Sequence, residues 1–284
     1  MRIIRTVKEM SAVAKLIKLE GKRIGFVPTM GYLHEGHLSL MRIARNKCDV
    51  LVASIFVNPT QFGPNEDLDA YPRDFARDEK LCENENVDIL FYPEAEDVYP
   101  EGFLTEVRVK ELSERYCGAS RPGHFAGVAT VVAKLFNIVK PNIAVFGQKD
   151  AQQAVVIRRM AADLNFDVEI VLGEIAREAD GLAMSSRNKY LSARDRETAP
   201  VLYRALSEAK SAIEAGEMAD AEDVIELIRS KILSAGDFRI DYIAVAAPDS
   251  LEPVEKIEGR VLILLAAKIG STRLIDNIVV GPAN

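Results

Sequence analysis

Histidine is scarce in this 284-residue chain, which has only three. Cysteine is equally scarce: Cys48, Cys82 and Cys117 are odd in number and widely spaced. That excludes a disulfide framework and suits a reducing compartment. Positive charge is not in excess, because 36 Lys and Arg face 43 Asp and Glu, a net charge of −7. A chain so balanced lacks the basic footprint of non-specific nucleic-acid binding, although a local basic pocket for a small anion remains open to it. Long apolar runs are missing as well. The longest, 261–267, falls far short of the ~18 residues of a membrane span and reads as a buried strand. The first ten residues are interrupted by charge too often to make a signal peptide. The expectation is a cytoplasmic protein with neither a membrane nor a nucleic acid as partner.

What is present is a globular composition, 48% hydrophobic and 28% charged. Apolar runs at 23–28, 50–57, 87–92, 142–146 and 168–172 are nearly continuous, as strands buried on both faces are. Helical stripes lie between them, one through Leu38, Met41, Ile43 and Ala44, another through Val128, Val131, Val132, Leu135, Phe136 and Val139. A further stripe runs through Val155, Ile157, Met160 and Leu164, and Phe75, Leu81 and Val87 bracket one more. This alternation predicts an α/β fold, a Rossmann-like doubly wound parallel sheet whose ligands bind beyond the strand C-termini. The pattern changes near Ala176. Helices at 193–215 and 220–235 and strands at 240–245, 261–268 and 273–277 predict a smaller α+β domain. The expected division is 1–175 and 176–284. Segments 62–72 and 93–102, rich in Pro, Gly, Asn and Asp, read as long surface loops.

Two of the three histidines share one stretch, Leu33-His34-Glu35-Gly36-His37-Leu38, directly after a predicted strand and turn. A helix starting there offers free N–H groups and a partial positive charge to phosphate. Two imidazoles add donors for charge that develops in a transition state. A zinc site is the weaker reading, since His-x-x-His lacks the i,i+4 spacing of a helical pair. Three further loops end predicted strands or join the two parts. Asn58-Pro59-Thr60-Gln61 carries two amides, which are ordinary turn residues or a grip on a polar substrate. Gly147-Gln148-Lys149-Asp150 carries a lysine suited to a β- or γ-phosphate, with Asp150 expected to cap the next helix and Gln153 one turn further on. Met184-Ser185-Ser186-Arg187 carries two hydroxyls and a guanidinium that can close over phosphates. Asp78 can help hold Mg²⁺ once a nucleotide is present.

Together these segments resemble the pantoate–β-alanine ligase family, of the nucleotidyltransferase superfamily with a HIGH-like motif. The resemblance runs over nearly the whole chain. It is carried by 27–37, 54–62, Tyr71-Pro72-Arg73, 120–125, 146–153, 184–188 and Leu274-Ile275-Asp276-Asn277. It implies a two-step reaction in which pantoate is adenylated by ATP and the acyl adenylate is then attacked by β-alanine. It further implies His37, His34, Lys149 and Arg187 as catalytic groups. The ATP site would comprise Met30, Gly31, Tyr32, Leu33, His34, Glu35, Gly36, His37, Gly147, Gln148, Lys149, Asp150, Ala176, Met184, Ser185, Ser186 and Arg187. Gln61, Gln153, Asn58 and Arg121 would form the pantoate and β-alanine pocket, with Arg121 steadying its wall. Mg²⁺, with Asp78 as its ligand, and a homodimer are also implied. Two departures are Gln148, where glutamate is common, and Arg77, where some members carry a second acid.

Rival readings are a nucleotidyltransferase acting on a phosphate monoester, a tRNA-charging enzyme, and a nucleotide sensor without catalysis. The amides at Asn58, Gln61 and Gln153 suit a small hydroxy acid better than a second phosphate. The C-terminal part is short for an anticodon-binding module. The presence of His34, His37 and Lys149 together argues against loss of catalysis.

Overall fold

The computed structural model describes residues 1–64 and 66–281. Asn65, inside the loop expected over 62–72, lies outside the described residues. The chain opens with β1 (Arg2–Ile4), α1 (Val7–Leu19), β2 (Ile24–Thr29), α2 (Glu35–Arg45) and β3 (Val50–Ile55). It continues through α3 (Phe75–Asn84), β4 (Ile89–Phe91), α4 (Ala95–Val98), α5 (Cys117–Ser120) and α6 (His124–Val139). Then follow β5 (Ile143–Gly147), α7 (Ala151–Asp163) and β6 (Glu169–Gly173). These strands form one parallel six-stranded sheet in the order β1-β4-β3-β2-β5-β6.

Side chains on the inner strands alternate between two cores, because successive residues of a strand face opposite ways. Phe26, Val52 and Ala144 pack with Met10 and Ala14 of α1, with α6, and with Val156, Ile157 and Met160 of α7. Val27, Leu51, Ala53 and Val145 pack with Leu40, Met41 and Ala44 of α2 and Cys82 of α3. Burial of a side chain such as Phe26, which is fully buried, is worth about 1.5–3 kcal/mol. α6 is apolar almost all round, as a helix enclosed on every side must be. The strand order reverses at β2, flanked by β3 on one side and β5 on the other. That is the switch point where a doubly wound sheet leaves a crevice. Both His-x-Gly-His, after β2, and Gly147–Asp150, at the end of β5, are therefore delivered to it.

The remaining elements are α8 (Ala193–Thr198), α9 (Val201–Glu214), α10 (Ala221–Ala235), β7 (Phe238–Ala246), β8 (Val261–Ile269) and β9 (Thr272–Val280). The three strands form an antiparallel sheet in chain order. One face packs on α9 and α10 through Ile243, Ile263, Leu265, Leu206 and Ile228. The other face, through Ala244, Leu262 and Leu264, packs on Ala151 and Val155 of α7. This contact sets the small sheet beside the turn that carries Lys149.

Some expectations need correction. The single helix expected over 193–215 is two helices, because Pro200 lacks the N–H that a continuous helix would need. β1 and α1 are not among the expected elements: β1 has three residues, too few for a periodicity, and α1 lies in the charge-interrupted N-terminal stretch. Loop 93–102 contains the short α4. Leu164 is not a core residue but is half exposed at the end of α7. Asp150 stands at the start of α7 without a side-chain capping bond. The chain enters α7 from a 3₁₀ turn, Gln148–Asp150, so Asp150 lacks the extended backbone from which a side chain caps.

Candidate active site

The turn after β2 is built by short-range bonds. Thr29 donates its hydroxyl to the Ser54 carbonyl at 2.8 Å and accepts the Gly31 N–H at 3.1 Å. Gly31 takes φ +81°, a conformation that costs a side-chain-bearing residue free energy. Asp78 reaches across from α3 and accepts the N–H groups of Tyr32 at 2.6 Å and Leu33 at 2.8 Å. It is 1% exposed. Burial pushes its carboxyl up, while the two N–H groups pull it back. Asp78 thus braces the turn from behind and lines no part of the cavity described below.

α2 begins with a reciprocal cap made of histidines. His34 Nδ1 accepts the Gly36 N–H at 3.2 Å, and His37 Nδ1 accepts the His34 N–H at 3.3 Å. An N–H can only donate, so both Nδ1 atoms must be unprotonated. Both rings are then neutral with the proton on Nε2. The pKa shifts agree in direction. Burial, with the Lys149 ammonium beside it, lowers His34 from 6.5 to about 4. Burial lowers His37 well below 6.5, helped by His34 and Lys149. Gly36 has a packing reason, because a Cβ there would stand 2.9 Å from the His34 ring. The ring centroids of His34 and His37 are 4.1 Å apart.

The two amides after β3 form a second fixed unit. Asn58 is 1% exposed and donates to the Gln61 side-chain oxygen at 3.1 Å and the Gly127 carbonyl at 3.2 Å. Its own oxygen accepts from Tyr99 at 2.8 Å and from Thr60 at 3.0 Å. Gln61 donates weakly to the Met30 sulfur. Behind Gln61 lies Arg121, whose Nε and Nη2 bind Glu66 at 2.7 and 2.6 Å. Its Nη1 meets His124 Nε2 at 3.0 Å, and His124 Nδ1 meets the Gln61 carbonyl at 2.9 Å. Arginine can only donate and a carbonyl can only accept, so His124 is neutral with its proton on Nδ1. Burial lowers it to about 4, and Arg121 adds to that.

Two cavities, of about 860 Å³ and 210 Å³, share Lys149, Asp150, Gln153, Ser185 and Arg187 along their walls and form one cleft. The smaller part holds Met30, His34, Gly36 and His37 together with Asn58, Gln61, Gly147, Ala176, Met184 and Ser186. Arg121 lines the larger part. Six expected residues do not line the cleft. Gly31, Tyr32 and Leu33 shape its turn, with Leu33 fully buried beneath. Glu35 points outward to Arg42, Gln148 binds Asn277, and Asp78 sits behind the turn. Arg187 holds Asp67 through Nε at 3.0 Å and Nη2 at 2.8 Å, above the Tyr71 ring. Lys149 makes no ion pair among the described residues.

Tyr71, Glu66, Asp67, His124 and Tyr99 are parts of the site without an assigned role in the sequence reading. The first three lie in segment 62–72 and Tyr99 in segment 93–102, both expected from composition to be long surface loops. Nothing in the sequence ties Tyr99 to Asn58, because the two are 41 positions apart.

Residues 2–279 match the family described as Pantoate-beta-alanine ligase. The pantothenate synthetase of Caldicellulosiruptor bescii is 58% identical over 280 residues, 99% of either chain. A solved pantothenate synthetase from Thermus thermophilus superposes with a TM-score of 0.93 at 46% identity, covering 99% of this chain and 100% of that one. A pantoate-beta-alanine ligase from Francisella tularensis, solved in complex with beta-gamma ATP and beta-alanine, gives 0.81 at 37% identity, covering 98% and 97%.

Proposed function

This chain belongs to the pantoate-beta-alanine ligase family, and on that premise we propose which of its residues carry each step of the family's reaction. The reaction is an ATP-dependent ligation of pantoate and β-alanine through a pantoyl adenylate. In the first step a carboxylate oxygen of pantoate attacks the α-phosphorus. The bond from that phosphorus to the bridging oxygen breaks, and pyrophosphate leaves. In the second step the amine attacks the acyl carbon, the bond to AMP breaks, and the nitrogen loses a proton. Adenylation is needed because a free carboxylate has no competent leaving group.

Charge gathers on phosphate oxygens in the first transition state. The neutral Nε2–H groups of His34 and His37 and the ammonium of Lys149 are preorganised donors for it. A neutral imidazole donates there without the cost of burying its own charge. Arg187, with Ser185 and Ser186, contacts the phosphates, and its pair with Asp67 holds the guanidinium at the cleft before they arrive. Gln61 and Gln153 bind pantoate. Asn58 fixes Gln61 and Arg121 steadies its backbone, so neither of these two needs to touch substrate. The single observation that carries this reading is the shared cleft lined by His34, His37, Lys149 and Arg187.

Mg²⁺ takes one or two carboxylates and otherwise waters and phosphate oxygens. Asp78 does not fit that part, because both of its oxygens serve backbone N–H groups. Asp150 fits better, as a carboxylate on the cleft wall with no capping duty. A bound Mg²⁺ would offset charge on the triphosphate. Residues 176–284 act as a lid domain, joined to 1–175 at Ala176. A homodimer and a cytoplasmic location complete the proposal and rest on the family and on the three free thiols.

The test is a pair of half-reaction assays. Pantoate-dependent exchange of pyrophosphate into ATP should occur without β-alanine, and AMP should accumulate only when both acids are present. Exchange that needs a phosphate monoester instead of pantoate would favour the rival nucleotidyltransferase.

A further inference from the structure

The segment Leu274-Ile275-Asp276-Asn277 has no part in the scheme above, yet it holds two of the most enclosed polar side chains in the molecule. Asp276 is 3% exposed and Asn277 2%. Both lie on β9, in the C-terminal sheet. Asn277 nevertheless directs its side chain to the turn at the end of β5. Its Nδ2 donates to the Gln148 carbonyl at 2.9 Å and to the Lys149 carbonyl at 3.0 Å. Its Oδ1 accepts from Gln148 Nε2 at 3.1 Å.

Each polar atom of the Asn277 amide is therefore engaged, and in one orientation only. Turned over, the amide would set its oxygen against two carbonyl oxygens. Neither the 3₁₀ turn nor the start of α7 has a side-chain capping bond of its own. Asp276 fixes the same strand from the next position. Its Oδ1 accepts the Asn277 N–H at 2.8 Å, and its two oxygens hold Arg177 at 2.7 and 2.9 Å. The strand thus clasps both the lysine turn and the segment that leaves Ala176.

We propose that Asn277 is a positioning residue for Lys149: from the C-terminal sheet it fixes the backbone of the Gln148–Lys149 turn and so aims the ammonium at the triphosphate. The side chain touches no reacting atom. Its effect passes through two carbonyl oxygens, one of them on Lys149 itself. A donor displaced by about 1 Å can lose about a hundredfold in rate. The proposal rests on Lys149 acting at the phosphates, and the test separates the two.

Asn277→Asp keeps the size of the side chain but removes both donors, and Asn277→Ala removes the amide without adding charge. The measurements are pantoate-dependent pyrophosphate exchange, aminolysis of preformed pantoyl adenylate by β-alanine, and the thermal midpoint. Both variants should slow exchange by about tenfold to a hundredfold and leave aminolysis unchanged. In a Lys149→Ala background Asn277→Asp should cause no further loss. Equal slowing of both half-reactions, an undiminished effect without Lys149, unchanged exchange, or failure of both variants to fold would overturn the proposal in favour of a structural role or none. If Lys149→Ala alone leaves exchange intact, the assignment of Lys149 fails first.

Discussion

The Nδ1 atom of His37 accepts the backbone N–H of His34 at 3.3 Å, so the second histidine of the motif caps the first. His34 returns the arrangement through its bond from Gly36. With His124 locked the opposite way, the three histidines of the chain should show two kinds of neutral ring. Nitrogen-15 spectra of the histidine-labelled protein at pH 7 should give Nε2–H for His34 and His37 and Nδ1–H for His124. An imidazolium signal at that pH would contradict the assignment.

All three imidazoles are depressed, His34 and His124 to about 4 and His37 well below 6.5. Between about 4 and 6.5 the unfolded chain binds protons that the folded one does not, so stability rises with pH across that window. It is lost as pH falls, by at most about 3 kcal/mol for each of His34 and His124. Asp78 and Asp276, raised by burial, act in the opposite sense. Thermal midpoints from pH 7 to 5 should fall. His124→Asn, whose amide can donate to the Gln61 carbonyl without titrating, should flatten the slope. A steeper slope in that variant would count against a depressed His124.

Lys149→Ala should fold as the parent does, because the ammonium has no ion-pair partner among the described residues. Its rate of AMP formation should drop about 10²–10³-fold, the scale for one preorganised donor. Circular dichroism and initial rates read the two separately, and an unchanged turnover would remove Lys149 from the mechanism.

Asp78→Asn sets an amide where two N–H groups expect oxygens. The loss should be about 1–3 kcal/mol of stability together with a raised KM for ATP. The Mg²⁺ concentration needed for half-maximal rate should stay the same. A large shift in that concentration, with stability intact, would make Asp78 a metal ligand instead of a brace.

Much of this was legible in the residues. Continuous apolar runs marked every inner strand, because a strand covered on both faces has no polar side to confuse the pattern. The His-x-Gly-His turn and the Lys149 turn could be assigned to strand ends for the same reason. What the sequence could not reveal were side chains whose partners are distant in the chain. A carboxylate near a nucleotide suggests a metal ligand, and nothing local discloses the Tyr32 and Leu33 N–H groups that Asp78 accepts. Tyr99 reaches Asn58 only once β3 and β4 pair in one sheet, and Asn277 reaches the Lys149 carbonyl only once the two sheets meet. Pro200 is the reverse case, a local helix-breaking residue set inside a long helical period.

In the proposed mechanism, imidazole, ammonium and guanidinium groups from separate loops face one nucleotide. A crystal structure of the protein with a non-hydrolysable ATP analogue and pantoate tests it most directly. Nε2 of His34 and His37 and Nζ of Lys149 should lie within hydrogen-bonding distance of the phosphates, with the pantoate carboxylate in line with the α-phosphorus. A nucleotide bound with its phosphates away from both imidazoles, or with Lys149 turned to solvent, would contradict it.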